Sequence, residues 1–165
     1  MKFSLLILTS IFLCACSPLD KSDTETIVKD LRLINLTYSH LDGLSGDIFK
    51  FDVVTKTNLS NFYQRGKYKY SHLKCNGIQN YSIIGSVAID EERLESGKYI
   101  SPGYLKFCED ESMNTCAEKQ QVEKILMNDL SCEIIFGGLL KKSKTVAHNI
   151  IISKKSIIQS VDNGK

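Results

Sequence analysis

From residue 27 onward, apolar and polar positions alternate in short runs separated by turn formers. Residues 48–57 are the clearest case. Phe49, Phe51, Val53 and Thr55 fall on one side, and Lys50, Asp52 and Lys56 on the other. That is the period of a strand with one wet face. Residues 67–75 alternate again and run into Asn76-Gly77, a hairpin-turn dipeptide. A strand over 81–89 carries Ile83, Ile84, Val87 and Ile89. Short strands over 98–100 and 104–108 flank a turn at Ser101-Pro102-Gly103. A strand over 131–136 is broken by Gly137-Gly138, and 146–153 is the last clear one, with 157–161 extending or pairing with it. Residues 27–38 fit two periods. Ile27, Val28, Leu31 and Ile34 suit a helix face; Leu31, Leu33, Asn35 and Thr37 suit a strand. The turn formers Asp42-Gly43 and Ser45-Gly46, just before a clear strand, favour a strand from about Leu31. Polar, charged and basic connections are expected at 58–66, 91–96 and 141–144, and fraying at 162–165.

One helix is signalled. Thr115 and Glu118 match the S/T-x-x-E capping box. Val122, Ile125, Leu126 and Leu130 then form one apolar stripe. Strands at near-regular spacing with turns between them predict a mainly β, antiparallel protein. The first expectation is a two-sheet, immunoglobulin-like sandwich with one inserted helix. The alternative is an α+β fold with a single antiparallel sheet.

The first residues read differently. Met1-Lys2 is a short positive start, and residues 3–13 are an apolar run softened by Ser4, Thr9 and Ser10. The run fits the core of an export signal and is short of the roughly 20 residues that span a bilayer. It ends in Leu13-Cys14-Ala15-Cys16, which resembles the lipobox of bacterial lipoproteins. The resemblance implies a signal peptide over 1–15, lipidation of Cys16, a lipidated tether over 16–26 and a globular domain over 27–165. Two or more acyl chains anchor a protein stably. In that family an Asp after the Cys retains the protein in the inner membrane. Ser17 stands there instead, which implies the outer membrane without selecting a leaflet; the expected side is the periplasmic one.

From Cys16 on the chain has about 150 residues, one domain by length. A domain of that size buries about 70% of its unfolded surface. The whole chain carries 21 Lys and Arg against 19 Asp and Glu, so charge gives no case for a nucleic-acid partner. Four cysteines follow Cys16: Cys75, Cys108, Cys116 and Cys132. An even number in an exported chain reads as two disulfides. The short loop between Cys108 and Cys116 favours that pair, leaving Cys75–Cys132. Cys-x-x-Cys and His-x3-His spacings are absent, so no structural zinc is expected.

Little in the sequence points to catalysis. His40, His72 and His148 have no partner at motif spacing, and no nucleophile elbow, zincin motif or P-loop occurs. No cofactor is expected. His72 with Tyr68 and Tyr70 would line one strand face. Glu109, Asp110 and Glu111 stand together in the Cys108–Cys116 loop and form a candidate protein-binding tip; Lys141, Lys142 and Lys144 form a small opposite cluster that can touch lipid headgroups. Ser96-Gly97-Lys98-Tyr99 is similar to the Ser-Gly-x-x-Tyr loop of membrane-bound lysozyme inhibitors, with one residue fewer between Gly and Tyr. The expected function is that of a membrane-anchored, non-catalytic module that binds or scaffolds a protein partner. The alternative is an inhibitor or immunity protein against a secreted toxin or hydrolase such as lysozyme.

Overall fold

The computed structural model describes residues 28–40, 47–76, 78, 80–110 and 112–164. The expected signal segment (1–15) and tether (16–26), Cys16, the turn formers at 42–46, Gly77 and Glu111 lie outside the described residues. Along the chain come β1 (Arg32–Ser39), β2 (Ile48–Thr55), α1 (Leu59–Arg65), β3 (Tyr70–Cys75), β4 (Ser82–Val87), a 3-10 turn (Ile89–Glu91) and β5 (Arg93–Glu95). They are followed by β6 (Lys98–Cys108), α2 (Lys119–Ile125), β7 (Leu130–Gly138), β8 (Lys141–Ile152) and α3 (Lys154–Asn163). The fold is mainly β and antiparallel, as the alternation requires.

The expected two-sheet sandwich with one helix gives way to a single open sheet and three helices. The strand order is β1-β2-β6-β4-β3-β7-β8, with β5 hairpinned onto β6. Alternation says which side of a strand is dry but not which strand lies beside it. β6 decides the matter. It pairs with β2 along one edge and with β5 and then β4 along the other. The sheet nevertheless has a narrow joint. β3 and β4 share only the pairs Leu73↔Gly85 and Lys74↔Ile84, whereas β4–β6 and β3–β7 pair over whole strands. Serines extend the joint: Val87 N–H donates to Ser71 Oγ at 3.1 Å, and Ser86 Oγ donates to the Ser71 carbonyl at 2.9 Å.

The sheet curls around one core. Phe49, Phe51 and Val53 from β2 meet Leu105 and Phe107 from β6, Ile134 and Phe136 from β7, and Val146 and Ile150 from β8. Leu59 of α1, Val122 of α2, and Ile157 and Val161 of α3 bury into the same core. Each fully buried side chain of this size stabilises by about 1.5–3 kcal/mol. The edges approach each other: Val28 N–H donates to the Val146 carbonyl at 2.8 Å, and α3 packs on β1. Both edge strands carry an Asn with φ of 54°, Asn35 in β1 and Asn149 in β8. The register of β1 shifts at Asn35, so Leu31 and Leu33 are followed inward by Leu36 and Tyr38 rather than by Asn35 and Thr37. Such bulges bend an edge and spoil it as a template for another strand.

Six local expectations are corrected. The polar stretch after β2 forms α1, because Asn58 caps it by accepting from Asn61 N–H at 2.6 Å. The Ser101-Pro102-Gly103 turn is the middle of β6. Ala88 N–H donates to the Pro102 carbonyl, so the side of Pro102 without a donor faces the gap between β5 and β4, where no ladder bond is needed. The Thr115–Glu118 box is displaced: Glu118 is the N-cap of α2, and its N–H donates to Gln121 Oε1 at 2.9 Å, while Leu130 begins β7. The basic loop at 141–144 and Gly137-Gly138 lie within β8 and β7. Residues 157–161 belong to α3, capped by Ser153, which accepts from Ser156 N–H.

Candidate functional site

The outer face of the sheet carries a groove of about 720 Å³ over the narrow β3–β4 joint. Strand alternation places its residues. Leu73 of β3 and Ile83 and Val87 of β4 point into the core, so Tyr70, His72 and Lys74, and Ser82, Ile84 and Ser86, point out. Tyr104 of β6 and Ile135 of β7 complete the floor and wall. The small serines leave the middle low. Gly85 lets β4 lie close to β6, since a Cβ there would stand 2.6 Å from the Tyr104 carbonyl oxygen. Tyr70 is held flat: its cross-strand partner is Gly137, whose missing side chain the ring occupies, and its centroid is 4.8 Å from the His72 ring. Tyr68, expected on the same strip, is instead buried against Phe62, Tyr63 and Phe136.

Met113 closes one end of the groove and comes from the loop between Cys108 and Cys116. That disulfide is formed, with an S–S distance of 1.99 Å, and Glu109 N–H donates to the Thr115 carbonyl at 2.9 Å. Cys75–Cys132 is formed as well, at 2.05 Å, across paired residues of β3 and β7. Inside the loop Asp110 Oδ1 accepts from Ser112 N–H at 2.8 Å and from the Ser112 hydroxyl. These bonds hold its carboxyl below the usual aspartate range, the hydroxyl first. Asp110 is therefore engaged in shaping the turn that presents Met113. Glu109 is exposed, neither residue lines the groove, and Glu111 lies outside the described residues. The structure thus joins the His72 strip and the stapled loop in one concavity, through Met113 rather than through the carboxylates. Met113 has φ of 58°, and nothing in its sequence context announces that role.

A second constellation was invisible to motif spacing. Asp47 is buried, pairs with His40 Nδ1 at 2.8 Å, and accepts from Lys119 N–H at the start of α2. The Tyr38 hydroxyl also bonds it, and burial followed by this bond pushes the Tyr38 pKa up to about 12. The carboxylate is consumed in tying β1 and β2 to α2. His148 stands 3.4 Å from Glu133 beside the Cys75–Cys132 staple. Among the described residues no three His, Cys, Asp or Glu side chains converge as a metal-ligand set. The Ser96-Gly97 pair has φ of 49° and 74° and forms the two-residue β5–β6 hairpin turn, whose geometry by itself calls for such residues. The groove offers two tyrosine rings, an imidazole, apolar Ile84 and Met113, and half-buried serine hydroxyls. No family model, no curated protein and no solved structure matches the chain.

Proposed function

We propose that the protein is an outer-membrane lipoprotein, anchored through lipid on Cys16 and facing the periplasm. In this reading it acts without catalysis, holding an extended segment of a protein partner in the groove on its outer face. The observation that carries the binding reading is the convergence of Tyr70, His72, Ile84, Tyr104 and Met113 on one low, rigidly framed strip. Aromatic side chains with polar tips and a methionine are the residues enriched at protein interfaces. Disulfides at Cys75 and Cys108 frame the same end of the sheet, which lowers the ordering cost of binding. The anchor reading rests on the lipobox. No helix among the described residues is long and apolar enough to cross a membrane.

A photo-crosslinking residue at His72, followed by recovery from detergent-solubilised envelope, tests this. One partner should be captured, and Tyr70→Ala with Tyr104→Ala should abolish capture without loss of folding. Capture unaffected by the double variant would show that the groove is not the site. The stapled loop favours a second reading in one respect, because it presents an apolar tip beside the groove as an inhibitor would. A captured secreted toxin or hydrolase would select that inhibitor or immunity role. Cys16→Ala should leave the precursor unprocessed and unlipidated; normal maturation and membrane partitioning of that variant would sink the anchor.

A further inference from the structure

The β7–β8 hairpin ends in Leu139 and Leu140, which are 90% and 104% exposed. Gly138 pairs with Lys141, so these two leucines are the whole turn. Turns of two residues favour Asn, Asp and Gly, and the Ser96-Gly97 turn of this chain follows the rule through its positive φ angles. Neither leucine has a positive φ. Turn geometry therefore gives no reason for two large apolar side chains at a fully solvated tip.

The surroundings are basic. Lys141, Lys142 and Lys144 follow the turn, and the α1–β3 corner brings Arg65, Lys67 and Lys69 beside it: Lys69 N–H donates to the Gly137 carbonyl at 2.7 Å. Lys141 Nζ donates to the Gly66 carbonyl at 2.7 Å and lies 4.7 Å over the Tyr68 ring, and Lys144 Nζ lies 5.4 Å over Phe62. Neither 61–70 nor 138–145 contains an Asp or Glu. Two exposed leucines with six basic residues in the adjoining segments match an anionic bilayer surface, with apolar tips entering the acyl boundary and cationic groups near lipid phosphates. A nucleic acid would use the charge but not the leucines.

We infer that the Leu139-Leu140 tip is a membrane-contact element that enters a bilayer bearing phosphatidylglycerol and fixes the orientation of the domain. The inference deepens the anchored reading and rests on it for proximity to lipid. The lengths agree. Val28 is tied to Val146, about 17 Å along β8 from the turn. The residues from Cys16 to Val28 span up to about 40 Å when extended. Tip and anchor can therefore reach one bilayer surface.

The chain has no Trp, so Leu140→Trp in the full lipidated protein gives a clean reporter. On phosphatidylcholine vesicles containing phosphatidylglycerol its emission should shift to the blue and be quenched by doxyl-labelled acyl chains. Changing Lys141, Lys142 and Lys144 to Gln should abolish the shift, and Leu94→Trp, exposed on β5, should stay unshifted. The inference is overturned by no shift with protein verified on the vesicles, by an equal shift on pure phosphatidylcholine, or by a shift without vesicles, which would mean self-association. A shift on single-stranded RNA but not on lipid also overturns it. The mass of the N-terminal peptide reads the anchor separately. An unlipidated Cys16 with a shifted tryptophan would refute the anchor and leave the tip standing.

Discussion

Asp47 is 2% exposed, yet its carboxylate carries three interactions that reach β1 and α2. Alanine there would leave the Lys119 N–H and the Tyr38 hydroxyl without their acceptor in a partly buried site. Losing such a group costs about 3 kcal/mol. Asp47→Ala should lower unfolding free energy by that amount in urea titration. His40→Ala should cost about 1 kcal/mol or less, since the ring is 57% exposed. A larger loss at His40 than at Asp47 would contradict this assignment. None of it was legible in the sequence, where His40 and Asp47 flank turn formers and carry no motif. Burial and partner are properties of the folded neighbourhood.

At the scale of elements, the staples differ in what they close. Cys75–Cys132 spans 57 residues and Cys108–Cys116 spans 8. Loop-closure entropy then assigns about 4 kcal/mol to the first and about 2.5 kcal/mol to the second. Replacing Cys75 and Cys132 by Ser should lower the urea midpoint more than replacing Cys108 and Cys116. The second variant should mainly raise amide exchange over 109–115 and loosen Met113. Equal losses would show that strain or residual structure outweighs loop length. Strand β2 was readable residue by residue, because alternating burial is written directly into its side chains. Helix α3 was misread as strand, although Ser153 as cap and Ile157, Ile158 and Val161 on one face are a helix pattern. Its apolar β-branched residues suit either period over so short a run.

For the whole molecule, two carboxylates pull stability in opposite directions with pH. Asp30 accepts from Lys56 N–H and the Thr55 hydroxyl, and the Lys56 bond foremost holds its carboxyl below the ordinary 3.8. The folded chain then releases that proton more readily than the unfolded chain, so stability is present above pH 3.8 and is lost as pH falls through the lowered value. Glu92 caps α1 by accepting from Leu59 and Ser60 N–H groups, but burial dominates and raises its carboxyl above the ordinary 4.5. Here the folded chain holds more protons, so stability declines as pH rises from 4.5 through the raised value. Glu92→Gln should flatten the slope just above pH 4.5 and leave the acid limb governed by Asp30. Urea unfolding at a series of pH values checks both limbs, and an unchanged slope in the variant would refute the burial argument.

The order of side chains by itself determined the antiparallel β character, the inward face of β2, and the short-loop cysteine pair, because these depend on local period and loop length. It also carried the resemblance to a lipobox on which the proposed anchor rests, a pattern read without any fold. Only tertiary structure decided that the strands share one sheet, that β6 runs through Pro102, and that the β3–β4 joint is two residues wide. Strand partners are chosen by contacts between residues far apart in the chain, and one alternating pattern suits many neighbours. The groove depends on that narrow joint, on Gly85 and Gly137 admitting close approach, and on a disulfide that swings Met113 over the sheet, so it exists only once these distant segments have met.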